Sequence, residues 1–185
     1  MKYIYALLIF SCITVSCNQT NEAKIQRPYN IGSNEYAELA ETSFQYMQDF
    51  DFENWTDMMS EDVEYYFPDG DVETRSKLVG KKEVMNWWKD WERNSNISSM
   101  VLSERIIVPL DISPKDELPK LPGTYAICWI TTKLAFQNGT DVSLRMNMDL
   151  HFNADKKIDR IWSYYDRSGI IKAMGLDILV PKEED

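Results

Sequence analysis

The chain has 185 residues, 44% hydrophobic and 12% aromatic, which suits one domain with a sizeable core and excludes a disordered chain. Thirty acidic against 20 basic residues give a formal net charge of −10, and that excludes the concentrated basic surface nucleic acid requires. One His and three Cys leave little material for a His/Cys zinc site or a cysteine network, so no metal and no cofactor are expected.

In chain order, residues 1–16 read as an export signal. Lys2 supplies the positive end, and Tyr3 to Phe10 with Ile13 and Val15 form an apolar core. That core is shorter than the roughly 20 residues a membrane-spanning helix needs. It ends in Thr14-Val15-Ser16-Cys17, which resembles the lipobox of bacterial lipoproteins. The resemblance implies acylation of Cys17 and a protein tethered to a membrane of the bacterial cell envelope, facing the periplasm or the exterior. An ordinary signal peptide with an incidental Cys is the alternative. Losing Lys2 makes the exported part more acidic still, so it should stand away from anionic lipid. Residues 17–33 suit an anchor and polar spacer, lacking periodicity and containing Pro28. Cys12 leaves with the signal, and Cys128, between Ile127 and Trp129, reads as a buried structural thiol. Four Asn-x-Ser/Thr sequons, starting at Asn18, Asn54, Asn96 and Asn138, read as chance occurrences beside a lipobox.

From Asn34 to Phe50 the apolar residues Tyr36, Leu39, Ala40, Phe44, Met47 and Phe50 fall at helical spacing, with Ser33 or Asn34 as N-cap. Asp51 can cap a second short helix carrying Phe52, Trp55, Met58 and Met59. Val63 to Phe67 reads as a strand that stops at Pro68-Asp69-Gly70-Asp71; these acidic residues lack the spacing of a calcium loop and read as a plain turn. Gly80 precedes a third helix over about 81–93. Thereafter the chain reads as sheet: a long strand over 99–110, a Pro-rich loop over 111–122, then strands over 123–137 and 141–153 flanking Asn138-Gly139, a strong hairpin signal. A last strand runs from Ile158 to Tyr165, followed by a short helix over 168–174 and a charged tail over 177–185.

This order resembles the nuclear transport factor 2-like superfamily, in particular its SnoaL-like branch. The resemblance is carried by Glu61-Asp62-Val63-Glu64-Tyr65-Tyr66-Phe67-Pro68-Asp69-Gly70, by Leu78-Val79-Gly80-Lys81-Lys82-Glu83-Val84, and by Asp155 to Asp166. It covers about residues 34–176 and implies an α+β fold: a cone-like, strongly bent mixed or antiparallel sheet wrapped around three N-terminal helices. It further implies a pocket at the open end and, often, a homodimer. The superfamily holds isomerases, dehydratases, cyclases, epoxide hydrolases and non-catalytic binders, so the fold leaves function open.

The strand Arg145 to Phe152 alternates strictly, with Arg145, Asn147, Asp149 and His151 on one face and Met146, Met148, Leu150 and Phe152 on the other. If the polar face lines the pocket, His151 is a candidate acid/base with Asp149, about 6–7 Å along the strand, or Asp166 orienting it. If the apolar face packs under the helices, the polar one meets water or a partner subunit. Asp166 matches a position where limonene epoxide hydrolases of the superfamily carry a catalytic Asp. Their Arg-x-Asp pair is incomplete here, since Arg105 is followed two residues on by Ile107, which argues against epoxide hydrolysis; Arg105 with Asp166 then reads as a structural ion pair. Ketosteroid isomerases of the superfamily pair a carboxylate with Tyr and Asp donors, and Tyr46, Asp62 and Tyr66 stand near the expected pocket mouth. Trp88, Arg105, Trp129, Asn147 and Tyr165 are further pocket candidates. Trp87 and Trp91 share a helical face and should pack on the sheet, which leaves Trp88 for a rim or a dimer contact. The leading expectation is a lipoprotein domain that binds a small apolar or amphipathic molecule. The alternatives are a lyase or isomerase using His151, and a dimerisation or envelope-assembly module.

Overall fold

The structure, a computed structural model, describes residues 29–70, 73–112, 121–175, 177 and 179. The export signal, Cys17, the first part of the spacer, Asp71 and most of the charged tail lie outside the described residues.

Helix α1 (Asn34–Gln48) starts at Ser33, whose side chain accepts from the Glu35 N–H and so satisfies one of the free first-turn donors. Its buried stripe is Ala40, Ser43, Phe44 and Met47, the three- and four-residue spacing of an amphipathic helix. Asp51 caps α2 (Phe52–Asp57) by accepting from Asn54 N–H at 3.2 Å. Strand β2 (Met59–Tyr66) and the short β3 (Lys77–Val79) lead into α3 (Lys81–Asn94). Gly80 enters that helix at φ +95°, a backbone region that favours glycine.

The remaining strands are β4 (Ile97–Ile112), β5 (Gly123–Phe136), β6 (Asp141–Phe152) and β7 (Ile158–Tyr164), with α4 (Ser168–Met174) after them. With β1 (Tyr29–Ile31) they form one seven-stranded sheet in the order β1-β4-β5-β6-β7-β2-β3. Among the described strands only β2 and β7 pair in parallel, so the sheet is mixed. β4 changes register against β5 between Ser103 and Ile106, where Glu104 takes φ +48°; such a bulge bends a strand and strengthens its twist. The expected α+β cone is the observed fold: the bent sheet packs its concave face against the helices.

Two strands escaped the sequence reading. Tyr29–Ile31, read as the end of the spacer, pairs instead with Leu110 to Ile112. Its three residues are exposed, so no burial pattern marks it; the free edge of β4 does. β3 is equally short and pairs with Glu64 to Tyr66. At the other end, Leu179 packs against the core and Asp177 binds Arg167. The domain therefore runs past residue 176 into what read as a separate tail.

Burial decides the face of β6. Met146, Met148, Leu150 and Phe152 are buried against the helices, and Arg145, Asn147 and Asp149 lie on the outer face. The core is aromatic: Trp88 stands edge-on to Trp55 at 5.6 Å between centroids, to Tyr65 at 5.9 Å and to Trp91 at 5.2 Å. Each such ring contributes about 1.5–3 kcal/mol through burial, and edge-to-face contact adds to it.

Candidate functional site

Three rules of local structure place the residues that line the cone. Along β2 the side chains alternate, so Val63, Tyr65 and Phe67 point inward while Glu64 and Tyr66 point out. Along α3, Val84, Trp88 and Trp91 recur at four and three residues and form its buried stripe. Along β5, Ile130, Thr132 and Leu134 share the inner face, all buried. α4 then crosses the open end, bringing Ile170 and Met174 over the helices' aromatic rings.

Among the described residues, two small, partly open cavities share Trp88, Trp91, Tyr165 and Ile170 as walls. The inner one, about 30 Å³ and only partly enclosed, is also lined by Met47, Tyr65, Met100, Thr132, Leu134, Leu144 and Met146. The outer one, about 40 Å³, is bounded by Phe67, Trp87, Arg167, Ile171, Met174, Asp177 and Leu179. Each has room for two or three waters, since one water needs about 10–15 Å³; ligand sites run to about 300–1,000 Å³. Ile170, Ile171 and Met174 of α4 and Leu179 line the outer cavity.

The polar content of this interior is small and specific. Trp55, elsewhere in the core, donates its indole N–H to Ser43 Oγ at 2.9 Å. Trp88 and Thr132 line the inner cavity, and among the described residues their Nε1 and Oγ1 atoms, like Ser60 Oγ elsewhere, are buried with no protein partner. A buried polar group left so costs about 1–3 kcal/mol. Burial pushes the Tyr165 phenol up to about 12 and the Tyr65 phenol further, so both stay neutral. Among the described residues no carboxylate and no His lines the inner cavity. At the mouth Arg167 Nη1 meets Asp177 Oδ1 at 2.8 Å. Among the described residues no group of three or more His, Cys, Asp or Glu is placed to hold a metal ion.

The structure scatters the residues the sequence offered as a site. His151 is buried, but on the outer side of β6. Its Nδ1 contacts Asp159 Oδ1, and its Nε2 lies 3.3 Å from the Pro122 carbonyl. Its carboxylate partner is therefore Asp159, not Asp149 or Asp166, and it lines neither interior cavity. Asp149, whose carboxyl is raised by burial, accepts from Asn147 Nδ2 at 3.1 Å, and that same amide donates to the Cys128 carbonyl at 2.9 Å. Asp166 is exposed and accepts from Ser168 N–H at 2.9 Å at the start of α4, a contact that lowers its pKa. Arg105 pairs with Glu41 at 2.7 Å instead of with Asp166, because the bulge at Glu104 turns it toward α1.

Tyr66 faces outward, donates to Glu64 Oε2 at 2.8 Å and stacks on Trp162 at 5.9 Å; its neighbour Tyr65 takes the inner position. Trp129 is 46% exposed on the outer face, and Tyr46 packs at the core's edge without lining either cavity. Trp88, expected at a rim, is only 6% exposed at the centre of the aromatic cluster, whereas Trp87 reaches the mouth against Phe67. The spacing Val84-Trp88-Trp91 carried that signal in the sequence. Of the residues offered for the pocket, Trp88 and Tyr165 line both cavities. Thr132, Leu144, Met146, Ile170 and Arg167 were missed, and of these Thr132 was legible as a polar residue within the apolar alternation Ile130-x-Thr132-x-Leu134. Cys128 is buried and free, with its thiol pKa raised by burial.

No protein-family model matches the chain, and no curated protein does. Solved structures do. An inferred polyketide cyclase from Pseudomonas putida superposes with a TM-score of 0.57 at 16% identity, covering 75% of this chain and 97% of the other. A nuclear transport factor 2-like protein from Anabaena variabilis gives 0.54 at 17% identity, over 76% and 96% of the two chains. A protein of ketosteroid isomerase-like fold from Catenulispora acidiphila, solved in complex with trimethylamine, gives 0.52 at 13% identity over 76% and 94%. The chain thus has the nuclear transport factor 2-like fold of SnoaL-like polyketide cyclases.

Proposed function

We propose that this protein is an envelope lipoprotein whose cone binds a small apolar or amphipathic molecule. What supports the reading is the aromatic and Met lining of the open end of the cone, where two small cavities of about 30 and 40 Å³ share Trp88, Trp91, Tyr165 and Ile170 as walls and a ligand enters by displacing the side chains of α4. Fold neighbours give it a background, since one of them is solved with a small amine bound. Proton transfer at His151 is the weaker reading, because both ring nitrogens contact fixed protein oxygens. The tether rests on the Cys17 lipobox, and a homodimer on the exposed apolar groups Ile106, Trp129 and Tyr164 of the outer sheet face. Native mass spectrometry of the protein purified from its host tests two of these points together. A retained small molecule and a dimer mass are expected; a bare monomer counts against both. Cys17→Ser should move the protein out of the membrane fraction, and continued membrane association defeats the tether.

A further inference from the structure

We propose that His151 is held as the doubly protonated imidazolium and that its proton clasps the corner of the sheet where β1 joins the domain, so that this corner loosens as pH rises. His151 is 3% exposed and presents both ring nitrogens to oxygens that only accept. Nδ1 faces the Asp159 carboxylate, and Nε2 faces the Pro122 carbonyl at 3.3 Å. A neutral imidazole carries one N–H, so without the second proton one nitrogen would turn its lone pair on an oxygen lone pair in a buried site. Asp is the stronger acid of the two, so the proton stays on the ring. Burial by itself favours the neutral ring; the Asp159 charge against Nδ1 opposes it. Among the described residues the other titratable groups around the ring are matched elsewhere. Arg160, the cross-strand neighbour of His151, pairs with Glu64 at 2.8 Å. The Tyr125 ring stands edge-on to the imidazole at 4.7 Å, and burial raises its phenol, which stays neutral. Asp149, two residues back on the same face, accepts from Asn147. The backbone is shaped to the contact: Gly123 takes φ +147°, and a Cβ there would stand 2.3 Å from Nε2. Gly123 pairs with Ile112 of β4, and Ile112 pairs with Tyr29 of β1. The Pro122 carbonyl thus adjoins the row of pairings that holds the first described strand. In the next row Thr124 Oγ1 donates to Asp111 Oδ1 at 2.8 Å, which leaves His151 as the tie that responds near neutral pH. The clasp is fully present below the ordinary imidazole range near 6.5 and is lost as pH rises through the ring's own titration.

The chain has a single His, so its ring can be read directly. In the full chain labelled with 15N-histidine, long-range 1H–15N spectra should show two protonated ring nitrogens at about pH 7. The one-N–H pattern of a neutral ring at that pH overturns the proposal. Amide exchange, corrected for its intrinsic pH dependence, should lose about tenfold or more of its protection at Tyr29–Ile31 and Gly123–Tyr125 as the ring titrates, the worth of one charged hydrogen bond. The β5–β6 hairpin around Asn138 should keep its protection over the same range. His151→Gln has no proton to lose and should make protection at the corner independent of pH. Asp159→Asn removes the charge opposite Nδ1 and should move the ring titration and the loss of protection together to lower pH. Protection at the corner that does not follow the ring, or that keeps its pH dependence in His151→Gln, also overturns the proposal. If either variant fails to fold, the ring and exchange titrations of the parent decide it alone.

Discussion

Replacing Thr132 by Val should make the protein more stable, and replacing Ser43 by Ala should make it less so. Thr132 lies on the inner face of β5, 4% exposed, with an unpartnered hydroxyl. Val has nearly the same shape, favours a strand equally well and brings no polar group into the interior. An unpaired buried hydroxyl costs about 1–3 kcal/mol. Allowing for some relief by local adjustment, a gain of about 1 kcal/mol is expected, or about 2–5 °C in Tm for a domain of this size. Ser43 is the converse case, since its loss strands Trp55 Nε1 in the core at a cost of about 1–3 kcal/mol. Urea unfolding of both variants beside the parent gives the two signs directly. If Thr132→Val lowers the urea midpoint with an unchanged slope, the hydroxyl has a stabilising partner and the reasoning about the cavity's unmet polar groups fails.

Gly123→Ala should destabilise by about 2 kcal/mol or more, because the new Cβ would stand 2.3 Å from His151 Nε2 at a position with φ +147°; a parent-like urea midpoint would refute it. Glu64 has its carboxyl lowered by a hydrogen bond from Lys77, helped by Tyr66 and Arg160. Its stabilising share is therefore present above the ordinary Glu pKa near 4.5 and is lost as pH falls through the lower folded value, so Glu64→Gln should flatten the acid limb of stability below about pH 4.5. Unfolding midpoints taken from pH 7 down to pH 2.5 check this, and parallel limbs refute it. Arg167→Ala removes the half-buried partner of Asp177. It should cost under about 1 kcal/mol globally while speeding amide exchange across Ile170 to Met174, and unchanged exchange there would count against a mouth held by that pair.

Much of this protein was legible before folding was considered. The helical spacing in α1, the Asp51 cap, the turn at Asn138-Gly139 and the strict alternation of β6 are local consequences of backbone geometry, and each appears near its expected place. What failed were judgements that needed a neighbour from far along the chain. Tyr65 and Tyr66 are adjacent and chemically alike, so only the side of β2 covered by α3 tells which one faces the cavity. Arg105 matched a family position, but a one-residue bulge at Glu104 re-aimed it to Glu41.

By itself, then, the amino-acid sequence determined the order and kind of the elements, the single acidic domain and the apolar stripes that build its core, because these depend on periods of two and 3.6 residues. The tertiary structure decided that β6 turns its Met and Leu side chains inward, that the lone His sits between Asp159 and Pro122, and that Trp88 and Thr132 line one cavity. Those outcomes depend on which surface covers which. Trp88 and Thr132 stand 44 positions apart in the chain, and only the bent sheet closing over α3 brings the two residues to the wall of the same cavity.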